Sequence, residues 1–138
     1  MPTVRVTRRV TFNAAHRLHN PARSDEWNRE TYGKCNSPNG HGHNYVLEVT
    51  VEGSPDPDTG YVIDLGILKN IINERVIEVV DHANLNLDVE FMAGVLPSTE
   101  NFAVAIWNQI EPHVEGGRLL SVRLRETENN SVEYFGDR

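Results

Sequence analysis

From Val4 to His16 the chain alternates. Val4, Val6, Val10, Phe12, Ala14 and His16 share one phase, broken only by Arg8, while Thr3, Arg5, Thr7, Arg9, Thr11, Asn13 and Arg17 take most of the other. Side chains of a strand point to opposite faces in turn, so this predicts a half-buried strand over about 4–16. A second alternating run opens at His41. His43, Tyr45, Leu47, Val49 and Val51 follow on one face, with Asn44, Glu48, Thr50 and Glu52 mostly on the other. Between the two runs, Leu18 to Gly40 is polar and rich in Asn, Pro and Gly. That is long for a structureless loop, and loops of this length are often functional.

The period then changes. After a turn cluster at Ser54–Gly60, Asp64 offers an N-cap to a helix in which Leu65, Leu68, Ile72, Val76 and Val79 recur at helical spacing, ending near Val80. Pro97-Ser98-Thr99 opens a second helix with Phe102, Ile106 and Ile110 on one stripe, and Pro112 and Gly116-Gly117 close it. Leu120, Val122, Leu124 and Glu126 alternate as a third strand. Ser131 to Phe135 reads as a fourth after an Asn129-Asn130 turn, so the element order is ββααββ.

Length limits the picture to one domain over residues 1–138, large enough for a real core. No apolar run approaches the roughly 20 residues of a membrane span. The alternating N-terminus lacks the continuous apolar block of a secretory signal. With a single cysteine, Cys35, this points to a reducing, cytoplasmic setting. A formal charge of −7 argues against nucleic acid or an anionic membrane as partner. An anionic small substrate would need cations placed locally, and Arg8, Arg9, Arg17, Arg23 and Lys34 flank the motif-bearing segments.

The phases gather the chemistry. His16 ends the first strand on its apolar face; His41 and His43 begin the second, also on the apolar face. If the two strands pair antiparallel, three imidazoles converge on one side of a rigid sheet, a usual zinc-ligand set. Three ligands leave one tetrahedral position open, as catalytic zinc requires; the rival is that Cys35 closes the shell as an inert fourth ligand. Cys35 could instead be a reactive thiolate near the metal, or a plain buried side chain. Asp81-His82 follows a helix end, where a carboxylate beside an imidazole can orient the ring. Glu126 lies in the core phase of its strand. A buried carboxylate without a partner is costly, so either the strand end emerges into water or Glu126 binds something polar.

These residues closely resemble the 6-pyruvoyl-tetrahydropterin synthase family. Phe12-Asn-Ala-Ala-His-Arg-Leu18 resembles its first zinc-ligand segment, and Gly33-Lys-Cys-Asn-Ser-Pro-Asn-Gly-His-Gly-His-Asn-Tyr45 is similar to its combined thiol and metal motif. Where the family usually has Leu-Asp-His, this chain has Val80-Asp81-His82; Ser98–Asn101 and Arg125–Asn130 resemble its pterin-binding segments. The resemblance implies an α+β tunnelling fold: a four-stranded antiparallel sheet with two helices on one face, sheets joining into a barrel in a trimer or hexamer with active sites between protomers. It implies conversion of 7,8-dihydroneopterin triphosphate to 6-pyruvoyl-tetrahydropterin with loss of triphosphate. His16, His41 and His43 would hold Zn2+, Cys35 would accept a proton, Asp81 and His82 would form a relay, Glu126 would anchor the pterin, and Thr99 and Glu100 would line the pocket. The sister 6-carboxy-tetrahydropterin synthases of deazapurine biosynthesis commonly place the cysteine three residues before His-Gly-His; here five residues separate Cys35 from His41. A non-catalytic zinc-binding interaction module is the alternative of another class, but it would have no need of Cys35, Asp81, His82 and Glu126.

Overall fold

The computed structural model describes residues 1–137. Both alternating runs are strands with the bounds their phases suggest, β1 (Val4–His16) and β2 (His41–Gly53). They pair antiparallel along their whole length, with Val4 opposite Gly53 and His16 opposite His41. β2 continues the sheet to β4 (Arg118–Thr127), and β4 to β5 (Asn130–Tyr134), both antiparallel. A fifth strand that the pattern does not predict, β3 (Ala83–Asn84), pairs parallel with β1 at Ala14 and Ala15, giving the order β3-β1-β2-β4-β5. Two residues are too few to carry a period, which is why alternation could not announce it.

One face of the sheet carries the core. Phe12, Tyr45, Leu47, Val49, Val51, Val122 and Leu124 are buried there against Leu68, Ile72, Phe102, Ile106 and Ile110 from the helices. Phe12 stacks on its cross-strand partner Tyr45, and Phe102 meets both rings edge-on. Aromatic pairs of this kind contribute about 0.5–1.5 kcal/mol each beyond the area they bury. They make a stiff floor under the strand ends.

The first predicted helix starts at its expected cap: Asp64 accepts the Gly66 N–H, and α2 (Leu65–Ile72) follows. It runs through a π turn (Asn73–Ile77) into one last turn, α3 (Glu78–Val80). The buried stripe differs from the expected one. Leu68, Ile72, Val76 and Val80 are fully buried, whereas Leu65 and Val79 are 49% and 36% exposed. A strict four-residue step drifts about 40° per turn on a 3.6-residue helix. The wider π turn absorbs that drift and keeps the stripe against the sheet. The second predicted helix, α4 (Thr99–Ile110), is capped by Ser98, which accepts the Asn101 N–H.

The Leu18–Gly40 connector is not structureless. It holds α1 (Asp25–Tyr32), capped by Ser24, then a 3-10 turn (Gly33–Asn36). Its anchor is the fully buried Asn28, whose amide donates to the carbonyls of Asn20, Arg23 and Ser24 and accepts the Asn20 N–H. No helix of the described residues is long and apolar enough to cross a membrane.

Candidate metal centre

Strand register builds the site. Because His16 faces His41 and Ala14 faces His43, the two strands deliver three imidazoles to adjacent positions on the core side. The chain can enter β2 in this register because Gly40 has φ +72°, where a Cβ would meet the His16 carbonyl oxygen at 3.0 Å. Ring centroids of the three histidines lie 4.7–5.1 Å apart with planes nearly perpendicular. His16 Nε2 and His41 Nε2 are 3.1 Å apart. Tetrahedral ligands held at 2.0–2.1 Å from one zinc stand about 3.4 Å apart, so the spacing fits.

The protonation pattern fits as well. His16 is 1% exposed, and its Nδ1–H donates to the Pro97 carbonyl at 2.8 Å, which leaves the Nε2 lone pair facing its neighbours. Burial, first, holds the His16 pKa below its ordinary value, assisted by His41 and His43 and opposed by the Pro97 contact and Glu126. Burial likewise lowers His43, against the pull of Glu126. Neutral imidazoles are the form a metal binds.

The fourth group within 4.8 Å of these nitrogens is Glu126. Its Oε1 lies 2.8 Å from His43 Nε2 and 3.8 Å from His16 Nε2, without a hydrogen bond to His43, and Thr99, the first residue of α4, donates its hydroxyl to Oε2. Glu126 is therefore half-buried against the histidines, its side chain 23% exposed, with Thr99 as a hydrogen-bond partner. The β2–β4 pairing runs down to Val46 opposite Arg125, so Tyr45 and Glu126 occupy the next positions of the two strands. The Tyr45 hydroxyl is buried without a partner, and burial together with the Glu126 charge pushes its pKa up.

The other residues singled out in the sequence lie apart from this cluster. Cys35 sits half-buried on the 3-10 turn, its carbonyl accepting the Leu18 N–H at 2.9 Å, and it is not one of the groups that converge on the histidines. A closed three-His, one-Cys shell is thus not what the fold builds. Glu100 is exposed on the first turn of α4. Asp81 and His82 lie where α3 gives way to β3, beside Thr11, Asn13 and Asn44, on the phase of β1 and β2 opposite to the histidines. Asp81 Oδ1 accepts the Asn13 N–H at 2.9 Å and lies 3.1 Å from His82 Nδ1. The Asn13 contact, first, and His82 hold the Asp81 pKa below the usual carboxylate value. His82 is 81% exposed at φ +62°, a conformation a non-glycine residue adopts only when its surroundings impose it. Sequence reasoning missed Pro97 and the Thr99–Glu126 bond. Both span long sequence separations, and only the proline just before the Ser98 cap hinted at a fixed carbonyl there.

The family model of 6-pyruvoyl tetrahydropterin synthase matches residues 5–137. The chain belongs to the 6-pyruvoyl tetrahydropterin synthase family. It is 47% identical to the human protein named 6-pyruvoyl tetrahydrobiopterin synthase over 132 residues, 96% of this chain and 91% of the human one. A solved structure of Caenorhabditis elegans 6-pyruvoyl tetrahydropterin synthase shares 42% identity and superposes with a TM-score of 0.94, covering 99% and 98% of the two chains. A protein named 6-carboxy-5,6,7,8-tetrahydropterin synthase, from Rickettsia typhi, is 28% identical over 94% of this chain and 99% of its own. The fold is accordingly the α+β tunnelling fold of the pterin synthases, its sheet extended by the short β3.

Proposed function

We propose that the chain is a zinc-dependent lyase of the cytoplasm, one domain over residues 1–138, that converts 7,8-dihydroneopterin triphosphate to 6-pyruvoyl-tetrahydropterin and triphosphate. The observation that carries this is the convergence of His16, His41, His43 and Glu126 at paired strand ends. The reaction moves protons along a hydroxylated side chain and needs no external reductant. His16, His41 and His43 would hold the zinc, which supplies Lewis acidity at the substrate's side-chain oxygens. The Cys35 thiolate takes a proton from the substrate side chain, and the Asp81–His82 pair returns one elsewhere. Glu126 accepts two N–H bonds from the aminopyrimidinone edge, its carboxylate plane fixed by the Thr99 hydroxyl; Thr99 and Glu100 line the pocket.

Asp81 and His82 stand on the opposite face from the histidines of their own chain. This supports a trimer or hexamer in which one copy's Asp81–His82 completes the site of another. Among the described residues β1 has no strand beside it from Val4 to Phe12, and it and β5 provide sheet edges for joining. A second reading makes Glu126 a permanent metal ligand, favoured by its 2.8 Å approach to His43 Nε2. The reaction itself is tested by incubating the zinc-loaded protein with 7,8-dihydroneopterin triphosphate and weighing the product. A pyruvoyl pterin with released triphosphate is expected. A carboxy pterin would move the chain to the sister activity, and zinc binding without turnover would leave an interaction module.

A further inference from the structure

Among the described residues, the buried side-chain polar atoms without a hydrogen-bond partner are Arg8 Nε, His41 Nδ1, His43 Nε2 and the Tyr45 hydroxyl. The two nitrogens of His41 and His43 belong to the metal-ligand set, and Arg8 is a half-buried side chain on the edge of β1 that has no strand beside it. Neither reason applies to Tyr45. Its side chain is fully buried, and its hydroxyl is shut off from water with nothing to bond. Burying a hydroxyl unpaired costs free energy, whereas phenylalanine would fill the same ring site without that cost. The rings packed against it are themselves phenylalanines, Phe12 and Phe102, so an apolar ring is all that the packing asks for.

The ring is not free to carry its hydroxyl elsewhere. Phe12 stacks on it with centroids 5.0 Å apart and planes 14° from parallel, and Phe102 meets it edge-on at 5.4 Å. His43, two residues earlier on the same face of β2, packs against it at 5.8 Å and 74°. The β2–β4 pairing puts Glu126 in the position beside it. That carboxylate is held through one oxygen only. Thr99 donates to Oε2, while Oε1 lies 2.8 Å from His43 Nε2 without a hydrogen bond. Two unpaired groups on successive same-face positions of β2, His43 Nε2 and the Tyr45 hydroxyl, thus border one carboxylate. A metal would take up the nitrogen. The phenol keeps one hydrogen to donate, and a carboxylate oxygen is the acceptor that suits it.

We propose that Tyr45 is a positioning residue for Glu126: in the ligand-bound site its hydroxyl donates to Oε1, so that the carboxylate is held through both oxygens, by Thr99 and by Tyr45. This rests on Glu126 being the ring anchor, and it deepens that role. An ionised carboxylate offers about four lone pairs on two oxygens, so it can accept the two protein hydrogens and the two pterin N–H bonds together. The unpaired hydroxyl is then a cost of the empty site that ligand binding removes.

The test is a double-mutant cycle of Y45F and E126Q, read by titration calorimetry of unphosphorylated 7,8-dihydroneopterin into the zinc-loaded protein. Y45F keeps the ring and its packing. Its empty form should melt no lower than the parent, because the hydroxyl has no bond to lose, and it should retain zinc. Its affinity for dihydroneopterin should nevertheless fall roughly tenfold, the effect of losing one hydrogen bond to a charged group. In the E126Q background the same change should cost at most about threefold, because the carboxylate that Tyr45 serves is gone. Y45F that binds dihydroneopterin as the parent does, or that loses as much in the E126Q background as alone, overturns the assignment. So does Y45F that loses zinc or melts well below the parent when empty, since the hydroxyl would then serve the metal or the core. Dihydroneopterin that fails to bind the parent, or binds E126Q undiminished, refutes the ring anchor and the positioning role together. E126Q weakened while Y45F is unaffected refutes only the role of Tyr45. Coupling between the two in a protein that does not turn over 7,8-dihydroneopterin triphosphate refutes only the reaction.

Discussion

The metal cluster and the proposed proton-moving residues are built on different kinds of backbone. His16, His41, His43 and Glu126 project from three neighbouring strands of one sheet, over an aromatic floor of Phe12, Tyr45 and Phe102. Ladder pairing sets the positions of the three histidines, Glu126 follows at a register shift of β4, and all four are at least half-buried. Cys35 rides on a 3-10 turn, and Asp81 and His82 on the strained corner between α3 and β3, half-open or open to solvent. A metal tolerates only a few tenths of an ångström of ligand error, which paired strands can guarantee. Groups that trade protons with a substrate, or with a site in another copy, must be reachable, and turns give access at the cost of rigidity.

The largest effect expected from breaking the strand side is loss of the metal. His41→Ala removes one of three nitrogens from a shell with no spare donor but Glu126. Zinc affinity should fall by more than the roughly 100-fold that loss of an outer-shell partner costs, with activity lost in parallel. Metal analysis after dialysis against a weak chelator reads this directly. Retention of one equivalent of zinc by the variant would contradict the three-histidine assignment.

On the turn side the expectation is reversed: chemistry is lost and metal is kept. Cys35→Ala should retain zinc and thermal stability, because the thiol is outside the cluster and half-buried. Its turnover should drop by about 10²–10⁴, the range for removing a general base. Near-normal turnover would place the proton acceptor elsewhere.

The same division explains what could be read in advance. β1, β2 and the convergence of three histidines follow from period-2 alternation, since a strand's phase decides the face and the pairing of strand end with strand start decides proximity. The core-phase position of Glu126 was visible too, but not its partner: Thr99 is 27 residues away, and no local pattern links them. α1 was missed because Asp25–Tyr32 is so polar that only Trp27 and Tyr32 could mark a helical period; what signals it is Ser24 followed by Asp25 and Glu26, a cap with an acidic first turn. The far end of the buried stripe was read one residue off, at Val79 where Val80 is buried, because a π turn changes the helical period midway, and Leu65 before that turn is exposed at the helix start. That Asp81 and His82 face away from their own chain's histidines depends on how a two-residue strand docks on β1, which is tertiary information.

A smaller effect, about tenfold, sharpens the role of the one strand-borne residue proposed to touch substrate. Glu126→Gln keeps shape but sets an amide N–H against a pterin N–H, so pterin affinity should fall at least tenfold, about 1.4 kcal/mol. Zinc content should stay unchanged if Glu126 serves the ring. Loss of zinc alongside would favour the permanent-ligand reading that its approach to His43 suggests.

The gentlest probe is acid, and it separates the two regions by where each fails. In the metal-free protein His16 and His43 titrate below their ordinary value of 6.5, chiefly through burial. Below pH 6.5 the unfolded chain therefore binds more protons at these positions than the folded one. Stability then falls as pH drops from 6.5 towards the folded values, and it is fully present above 6.5. Asp81 also titrates below its ordinary value, 3.8, chiefly through the Asn13 N–H. Its contribution is intact throughout the histidine window and is lost only as pH falls from 3.8 through the folded value. Thermal melts of the metal-free protein between pH 8 and pH 3 should accordingly show two declines. Zinc, competing with protons for the same nitrogens, should push the upper one to lower pH and leave the lower one alone. Asp81→Asn should erase its share of the lower decline without moving the upper. A single decline below pH 4 that zinc does not shift would mean the histidines are not held neutral by the fold, and the strand-borne cluster would lose its claim to be prepared for a metal.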